Sequence, residues 1–181
     1  MAHPNPEITV AICLYNSSAF IDATLASVLD QTFADFEVLL VDDGSTDGSL
    51  NRVTQRFNDG RIRAVRQSHA GLGVARVTSV SAARGRYIAF LDHDDLWERE
   101  KLAVQVALAR DRPDAGLVFC PCTFIDAEGR AIDGPASRPD LRALDLSAGG
   151  ALTALLRHGC FIELSSVLMP KAVVDLVGGC Q

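Results

Sequence analysis

Residues 87–97 read Tyr-Ile-Ala-Phe-Leu-Asp-His-Asp-Asp-Leu-Trp. The first five form a compact apolar run with no polar alternation, the pattern of a strand buried on both faces. That run passes directly into Asp92-His93-Asp94-Asp95. In an open α/β sheet, ligands bind beyond the carboxyl ends of the strands, where such an abrupt polar end belongs.

The same grammar extends to both sides. Ile8–Leu14 reads as a buried strand that ends in Tyr15-Asn16, and Phe36–Val41 as a second that ends in Asp42-Asp43. Ile62–Val65 reads as a short third strand. Between the strands lie helical patterns: Ile21, Leu25, Val28 and Leu29, with Ser17 or Ser18 as its cap; Leu50, Val53 and Phe57; and residues 72–83, closing at Gly85. A further helix is expected from Glu98 to Asp111, ended by Pro113. Strand and helix alternate with short connections, which predicts a mostly parallel sheet covered by helices on both faces. Three polar strand ends then converge on one edge.

The second half is expected to add strands at Leu117–Ile125 and Phe161–Leu168. A turn at Ala127-Glu-Gly-Arg130 would lead into a return strand, and helices would span Gly150–His158 and Lys171–Val177. Pro135–Ser147 reads as a loop with weak helical character, and both halves are expected to share one sheet.

Composition narrows the function. The 181 residues carry 17 basic and 23 acidic side chains, a net charge of −6. An acidic chain of this kind has no general electrostatic footprint for nucleic acid. No apolar run approaches the roughly 18 residues of a membrane span, and the amino terminus does not read as a secretory signal. The five cysteines are scattered, with Cys120-Pro-Cys122 lacking the C-x-x-C spacing of zinc and redox motifs. Reduced, mostly buried thiols in a cytoplasmic protein are expected.

Carboxylates at a strand end suit Mg²⁺ or Mn²⁺, which take oxygen ligands and commonly share them with a substrate diphosphate. In an extended segment Asp92 and Asp94 face the same way. The alternative is a solvated loop whose aspartates cap the next helix. His93 reads as a bystander, with an imidazole ligand as the alternative. Asp42 and Asp43 would accept hydrogen bonds from a base or ribose, or else simply shape a turn; Asp47 suits a helix cap. Tyr15 would stack on a nucleobase or close the core edge. Gly71-Leu-Gly-Val-Ala-Arg76 lacks the third glycine of a dinucleotide fingerprint. Arg76 instead suits a phosphate, or the orientation of an aspartate.

Together, Ile8–Asn16, Gln31-Thr32, Val41–Asp47, Gly71–Arg76, Ala83–Tyr87 and Phe90–Trp97 resemble, in their order, the motifs of family 2 glycosyltransferases. The likeness is dense over residues 7–110, the nucleotide-sugar-binding half. It continues more thinly over 111–181, a partial acceptor half, through Ser165-Ser166-Val167 and Val177-Gly-Gly179. The resemblance implies one α/β domain of the GT-A type, Rossmann-like and incomplete at its carboxyl end. It implies transfer of a sugar, with inversion, from a UDP- or dTDP-sugar to a glycan, lipid or other acceptor in cell-surface polysaccharide biosynthesis. Tyr15 and Asn16 would lie at the nucleotide, Asp42 or Asp43 at the base or ribose, and Arg76 near the diphosphate. Asp92 would contact the ribose or the metal shell, and Asp94 would ligate Mn²⁺ or Mg²⁺. The partners implied are the nucleotide-sugar donor, an unspecified acceptor and a second copy in a homodimer, in the cytoplasm or at the inner face of the membrane.

Three departures stand out. Leu14 replaces the family's proline, and Val77 replaces its asparagine after Ala-Arg. The acidic segment that supplies the usual catalytic base falls past Gln181, which leaves a nucleotide-sugar-binding remnant as an alternative. A D-x-D phosphatase is a further alternative; it would need a separate lysine and a further acidic pair downstream, and no acidic pair follows Lys171, the only lysine besides Lys101.

Overall fold

The structure is a computed structural model that describes residues 5–134, 139–140, 147–158 and 160–178. In chain order it contains β1 (Ile8–Leu14), α1 (Ile21–Leu29), β2 (Phe36–Asp42), α2 (Ser49–Arg56), β3 (Ile62–Arg66), α3 (Leu72–Ala82), β4 (Tyr87–Leu91) and α4 (Lys101–Asp111). There follow β5 (Val118–Phe119), β6 (Phe124–Ile125), β7 (Ala131–Ile132), α5 (Ala148–His158), β8 (Val167–Pro170) and α6 (Lys171–Leu176).

The main sheet has the order β3-β2-β1-β4-β8-β5. The first four strands are parallel, and β8 runs antiparallel to both β4 and β5. Both halves of the chain therefore contribute to one sheet. β6 and β7 pair separately as a small hairpin across the turn at 127–130.

Every residue of β1 is buried, and the period of two divides them between two cores. Ile8, Val10, Ile12 and Leu14 pack with Ile21, Leu25 and Val28 of α1, Leu50 and Val53 of α2, and Leu102 and Val106 of α4. Ala11 faces the opposite core with Val80 of α3 and Val174 of α6, and Cys13 joins Ala75 of α3. Helices thus cover both faces, which is why these strands lack polar alternation.

The amino end of the sheet is closed by polar groups. Thr9 donates to Glu37 at 2.7 Å, Arg63 pairs with Glu37 at 3.2 Å, and Gly85 N–H donates to Thr9 Oγ1 at 2.8 Å. Gly85 lies so close to β1 that a Cβ would meet Thr9 N at 2.4 Å and the Ile8 carbonyl carbon at 2.6 Å. Only glycine fits there.

Several boundaries differ from the sequence reading. The strand expected over Leu117–Ile125 is two short strands, because Pro121 between them offers no N–H to a ladder. The strand expected over Phe161–Leu168 is instead a 3₁₀ turn at Leu164–Ser166 followed by β8. There, Ser165 and Ser166 direct polar groups to neighbouring loops. α4 begins at Lys101 rather than Glu98; the Glu98 and Arg99 carbonyls accept instead from Gln31 and Thr32, just past α1. Most of Pro135–Ser147 lies outside the described residues.

Candidate functional site

Strand register assembles the polar edge. Ile12 stands opposite Leu91, and Leu14 opposite Asp42, so Tyr15, Asp43 and Asp92 leave adjacent strands at one end of the sheet.

Three loops are bound to one another there. Asn16 has φ +52°, a left-handed conformation that asparagine tolerates, and its side-chain Oδ1 accepts from Thr46 N at 2.9 Å. Asp47 accepts from Ser49 N at the start of α2 and from Ser18 N, each at 2.9 Å. Burial acts to raise the Asp47 pKa, but the Ser49 and Ser18 hydrogen bonds outweigh it and lower it to about 2. Neither Ser17 nor Ser18 caps α1 with its side chain; Ser17 Oγ accepts from Tyr15 N at 3.1 Å.

Asp42 and Asp43, a pair in sequence, have different roles. Asp42 accepts from Ser45 N at 3.0 Å and lies 3.5 Å from Arg66 Nε. It lines a polar cleft of about 320 Å³ with Ser45, Thr46, Asn51, Arg66 and Gln67. Tyr15, Arg76, Asp92 and Asp94 are not among that cleft's walls. Asp43 is 2% exposed and braces residues 67–71. It accepts from Gln67 Nε2 at 2.7 Å and from the N–H groups of Ala70 and Gly71 at 2.9 Å each, and His69 Nδ1 lies 2.8 Å away. Burial acts to raise its pKa, yet these bonds outweigh burial and hold it below the usual carboxylate range.

Tyr15 is 46% exposed, and its ring stacks on His69 with centroids 4.0 Å apart and planes at 19°. It is an aromatic platform at the edge rather than a core plug. His69 escaped the sequence reading because its partners, Tyr15 and Asp43, come from other loops. Gly44 makes room for it, since a Cβ there would meet His69 N at 2.8 Å.

At the β4 end, Arg76 Nη2 reaches Asp92 Oδ1 at 3.1 Å, so the helix α3 arginine orients the first aspartate of the cluster. Asp92 N donates to Ser165 Oγ at 3.0 Å. Asp94 and Asp95 are exposed. Partial desolvation, followed by the charges of Asp94, Asp92 and Glu163, raises the Asp95 pKa against a hydrogen bond from Ser165. Burial first, and the neighbouring carboxylates after it, thus disfavour the charge on Asp95. His93 is held by its backbone, with its carbonyl accepting from Thr24 Oγ1 at 2.8 Å. Its ring Nδ1 is buried and has no hydrogen-bond partner.

The segment that follows these aspartates is fixed from behind by Gln31 and Thr32, just past α1. Gln31 Nε2 donates to the Glu98 carbonyl at 2.7 Å, Gln31 Oε1 accepts from Leu102 N at 3.0 Å, and Thr32 N donates to the Arg99 carbonyl at 3.0 Å. This is the structural work of the Gln31-Thr32 pair.

Among the described residues, no three His, Cys, Asp or Glu side chains form a ready-made cluster for a metal ion. Mg²⁺ and Mn²⁺ do not require one when substrate oxygens and water supply the remaining ligands. Asp92, Asp94 and Asp95 carry carboxylate oxygens, the donor type such a cation prefers. No described lysine pairs with these aspartates: Lys101 bonds Gln105 and Lys171 pairs with Asp175. The phosphatase alternative thus finds no lysine at this edge among the described residues. Among the described residues, no helix is long and apolar enough to cross a membrane.

Comparison with known proteins fits this geometry. Residues 9–150 match the model of glycosyl transferase family 2. The putative teichuronic acid biosynthesis glycosyltransferase TuaG of Bacillus subtilis is 34% identical over 163 residues, covering 86% of this chain and 64% of that protein. The crystal structure of S. aureus TarS 1-349 in complex with UDP superposes with a TM-score of 0.73 at 22% identity, over 94% of this chain and 48% of that one. The mannosyltransferase PcManGT from Pyrobaculum calidifontis, in complex with GDP-Man and Mn²⁺, gives a TM-score of 0.69 at 22% identity, over 98% of this chain and 49% of that one. The chain spans about half the length of the curated relatives it matches. The sheet order and the two helical layers are those of the GT-A fold, and the chain belongs to glycosyl transferase family 2.

Proposed function

We propose that this domain binds the nucleoside diphosphate of a sugar donor along the carboxyl ends of β1, β2 and β4, and that the protein transfers the sugar with inversion in a metal-dependent reaction. The observation that carries the reading is the Arg76–Asp92 pair beside the Asp94 and Asp95 carboxylates, one strand away from Tyr15. That arrangement sets a flat aromatic surface for a base at one end and oriented charge for phosphates at the other.

Each residue then has a physical task. The exposed Tyr15 ring offers stacking area to a nucleobase. Asp43, with its oxygens engaged by residues 67–71, shapes the base-facing loop; Asn16 and Asp42 hold the neighbouring loop in place. Arg76 keeps Asp92 directed toward the donor and supplies positive charge near the diphosphate. Asp94, with Asp92, would hold Mn²⁺ or Mg²⁺. Such a cation, when bound, stabilises the negative charge that develops on the departing nucleoside diphosphate. UDP in one structural neighbour and GDP-Man with Mn²⁺ in another support the class of donor and cation. The likeness to TuaG, a putative teichuronic acid biosynthesis glycosyltransferase, supports a role in polysaccharide biosynthesis, and the reaction is assigned to the cytoplasm or the inner face of the membrane.

Isothermal titration with UDP and with GDP, each with and without Mn²⁺, tests the donor site. Micromolar to millimolar binding that requires the cation is expected. Absence of binding to either nucleotide, with or without cation, would overturn the reading.

A further inference from the structure

The second half of the chain reaches back to the end of β4 through one turn. Leu164–Ser166 forms the 3₁₀ turn before β8, and both its serines are buried. Their hydroxyls are used differently. Ser166 Oγ donates to the Glu163 carbonyl at 2.6 Å, beside its own turn. Ser165 Oγ leaves the turn and accepts from Asp92 N at 3.0 Å, 73 residues away in the chain. The neighbouring strands end otherwise. Asp43 N, just past β2, donates to the Leu14 carbonyl of β1, and Gln67 N, just past β3, donates to the Asp42 carbonyl of β2, each at 2.9 Å. β8 pairs with β4 only at Tyr87 and Ile88. Where the carboxylates begin, a serine hydroxyl thus takes the place of a ladder carbonyl in satisfying the backbone.

The turn is itself clamped by Trp97, Lys101 and Gln105, which recur every four residues and are all buried. Trp97 Nε1 donates to the Ser165 carbonyl at 2.8 Å, and Gln105 Nε2 donates to the Ser166 carbonyl at 2.7 Å. Lys101 joins the two arms. Its Nζ donates to Gln105 Oε1 at 2.7 Å and lies 4.0 Å from the centre of the Trp97 ring. Two successive carbonyls of the turn are therefore held by donors that one lysine orients. Asp92 then carries two independent restraints: Ser165 on its backbone, and Arg76 Nη2 on its carboxylate at 3.1 Å.

We propose that Ser165, held by the Trp97–Lys101–Gln105 clamp, is a positioning residue for the cation-binding edge, a role that rests on the donor reading above. Its hydroxyl fixes the backbone of Asp92, so that the carboxylate is already in place when a divalent cation arrives with the nucleotide. A donor group held in advance loses less freedom on binding, and groups that support a metal ligand from behind govern affinity nearly as much as the ligand itself. The turn at 164–166 lies far along the chain from residues 7–110 and nonetheless acts on donor binding. The hydroxyl of Ser166, kept beside its own turn, has no such effect.

In calorimetric titrations of UDP at stepped Mn²⁺ concentrations, Ser165→Ala is expected to need roughly tenfold more Mn²⁺ than the wild type for half-maximal binding. Ser166→Ala removes a second buried hydroxyl from the same turn and is expected to keep the wild-type requirement. A merely structural role would move both variants alike. Equal Mn²⁺ requirements in Ser165→Ala and Ser166→Ala therefore overturn the proposal and leave the donor reading standing. No UDP binding by the wild type at any Mn²⁺ concentration overturns both. A second measurement needs no variant. Amide hydrogen exchange, followed by NMR on the wild-type chain without nucleotide or Mn²⁺, should find the Asp92 N–H protected roughly tenfold or more over that of the exposed Asp94. Equal exchange at the two amides overturns the proposal even where Ser165→Ala fails to fold.

Discussion

The two ends of the sheet use the same residue types to opposite effect. At the amino end, Glu37 is buried among Thr9, Arg63 and the Arg84 N–H. Burial acts to raise its pKa, but those partners outweigh burial and hold it below the ordinary carboxylate range. At the carboxyl end, Asp95 sits among Asp94, Asp92 and Glu163, and its pKa is raised. One end satisfies its charge internally. The other pairs Asp92 with Arg76 but leaves Asp94 and Asp95 without an ion pair among the described residues.

The largest expected break in this contrast is Gly85→Ala. Its methyl would overlap the β1 backbone at 2.4 Å, so the chain should fail to fold or lose more than ~4 kcal/mol in urea denaturation. Glu37→Ala comes next. It strands Arg63, Thr9 and the Arg84 N–H, and should cost about 3 kcal/mol by the same measurement. Nucleotide affinity of the folded fraction should not change. At the other end the order reverses: Asp94→Asn should leave the urea midpoint in place, yet weaken cation-dependent UDP binding by roughly tenfold or more, about 1.4 kcal/mol, in calorimetry.

Acid titration sharpens the same comparison. Glu37 and Asp43 have lowered pKa values in the fold. Their stabilising contribution is present above the unfolded carboxylate pKa and is lost as pH falls through the folded values. Asp95 has a raised value, so its contribution is present below the unfolded pKa and is lost as pH rises through the folded one. Thermal melts should therefore show stability falling steeply at acid pH in the wild type, and less steeply in Glu37→Gln. The smallest effect belongs to Asp95→Asn. With Asp95 exposed to water, that change should stabilise the protein at pH 7 by less than ~0.5 kcal/mol.

How much was legible in the sequence follows from the range of the interactions. β1 and β4 have the limits their apolar runs suggest, because burial on both faces forbids polar residues inside them and permits them just beyond. The hydrophobic spacing of α1, α2 and α3 survives in the cores they cover. Ser165 was not legible as a support for Asp92, since 73 residues separate the pair. His69 was hidden for the same reason: its ring finds Tyr15 only after three loops meet. Asp42 and Asp43 could not be told apart in sequence, and the different partners of the two carboxylates distinguish them. In the second half, short strands and a proline left no period long enough to read.

By itself the sequence determined the sheet, its two covered faces, and which strand ends carry polar side chains. Those depend on local periodicity and on where apolar runs stop. Only the tertiary structure decided that Arg76 meets Asp92, that Asp43 is engaged by a loop, and that Lys101 lies buried over the Trp97 ring. Pairings of that kind depend on distance and desolvation between segments far apart in the chain, and no spacing along the chain encodes either.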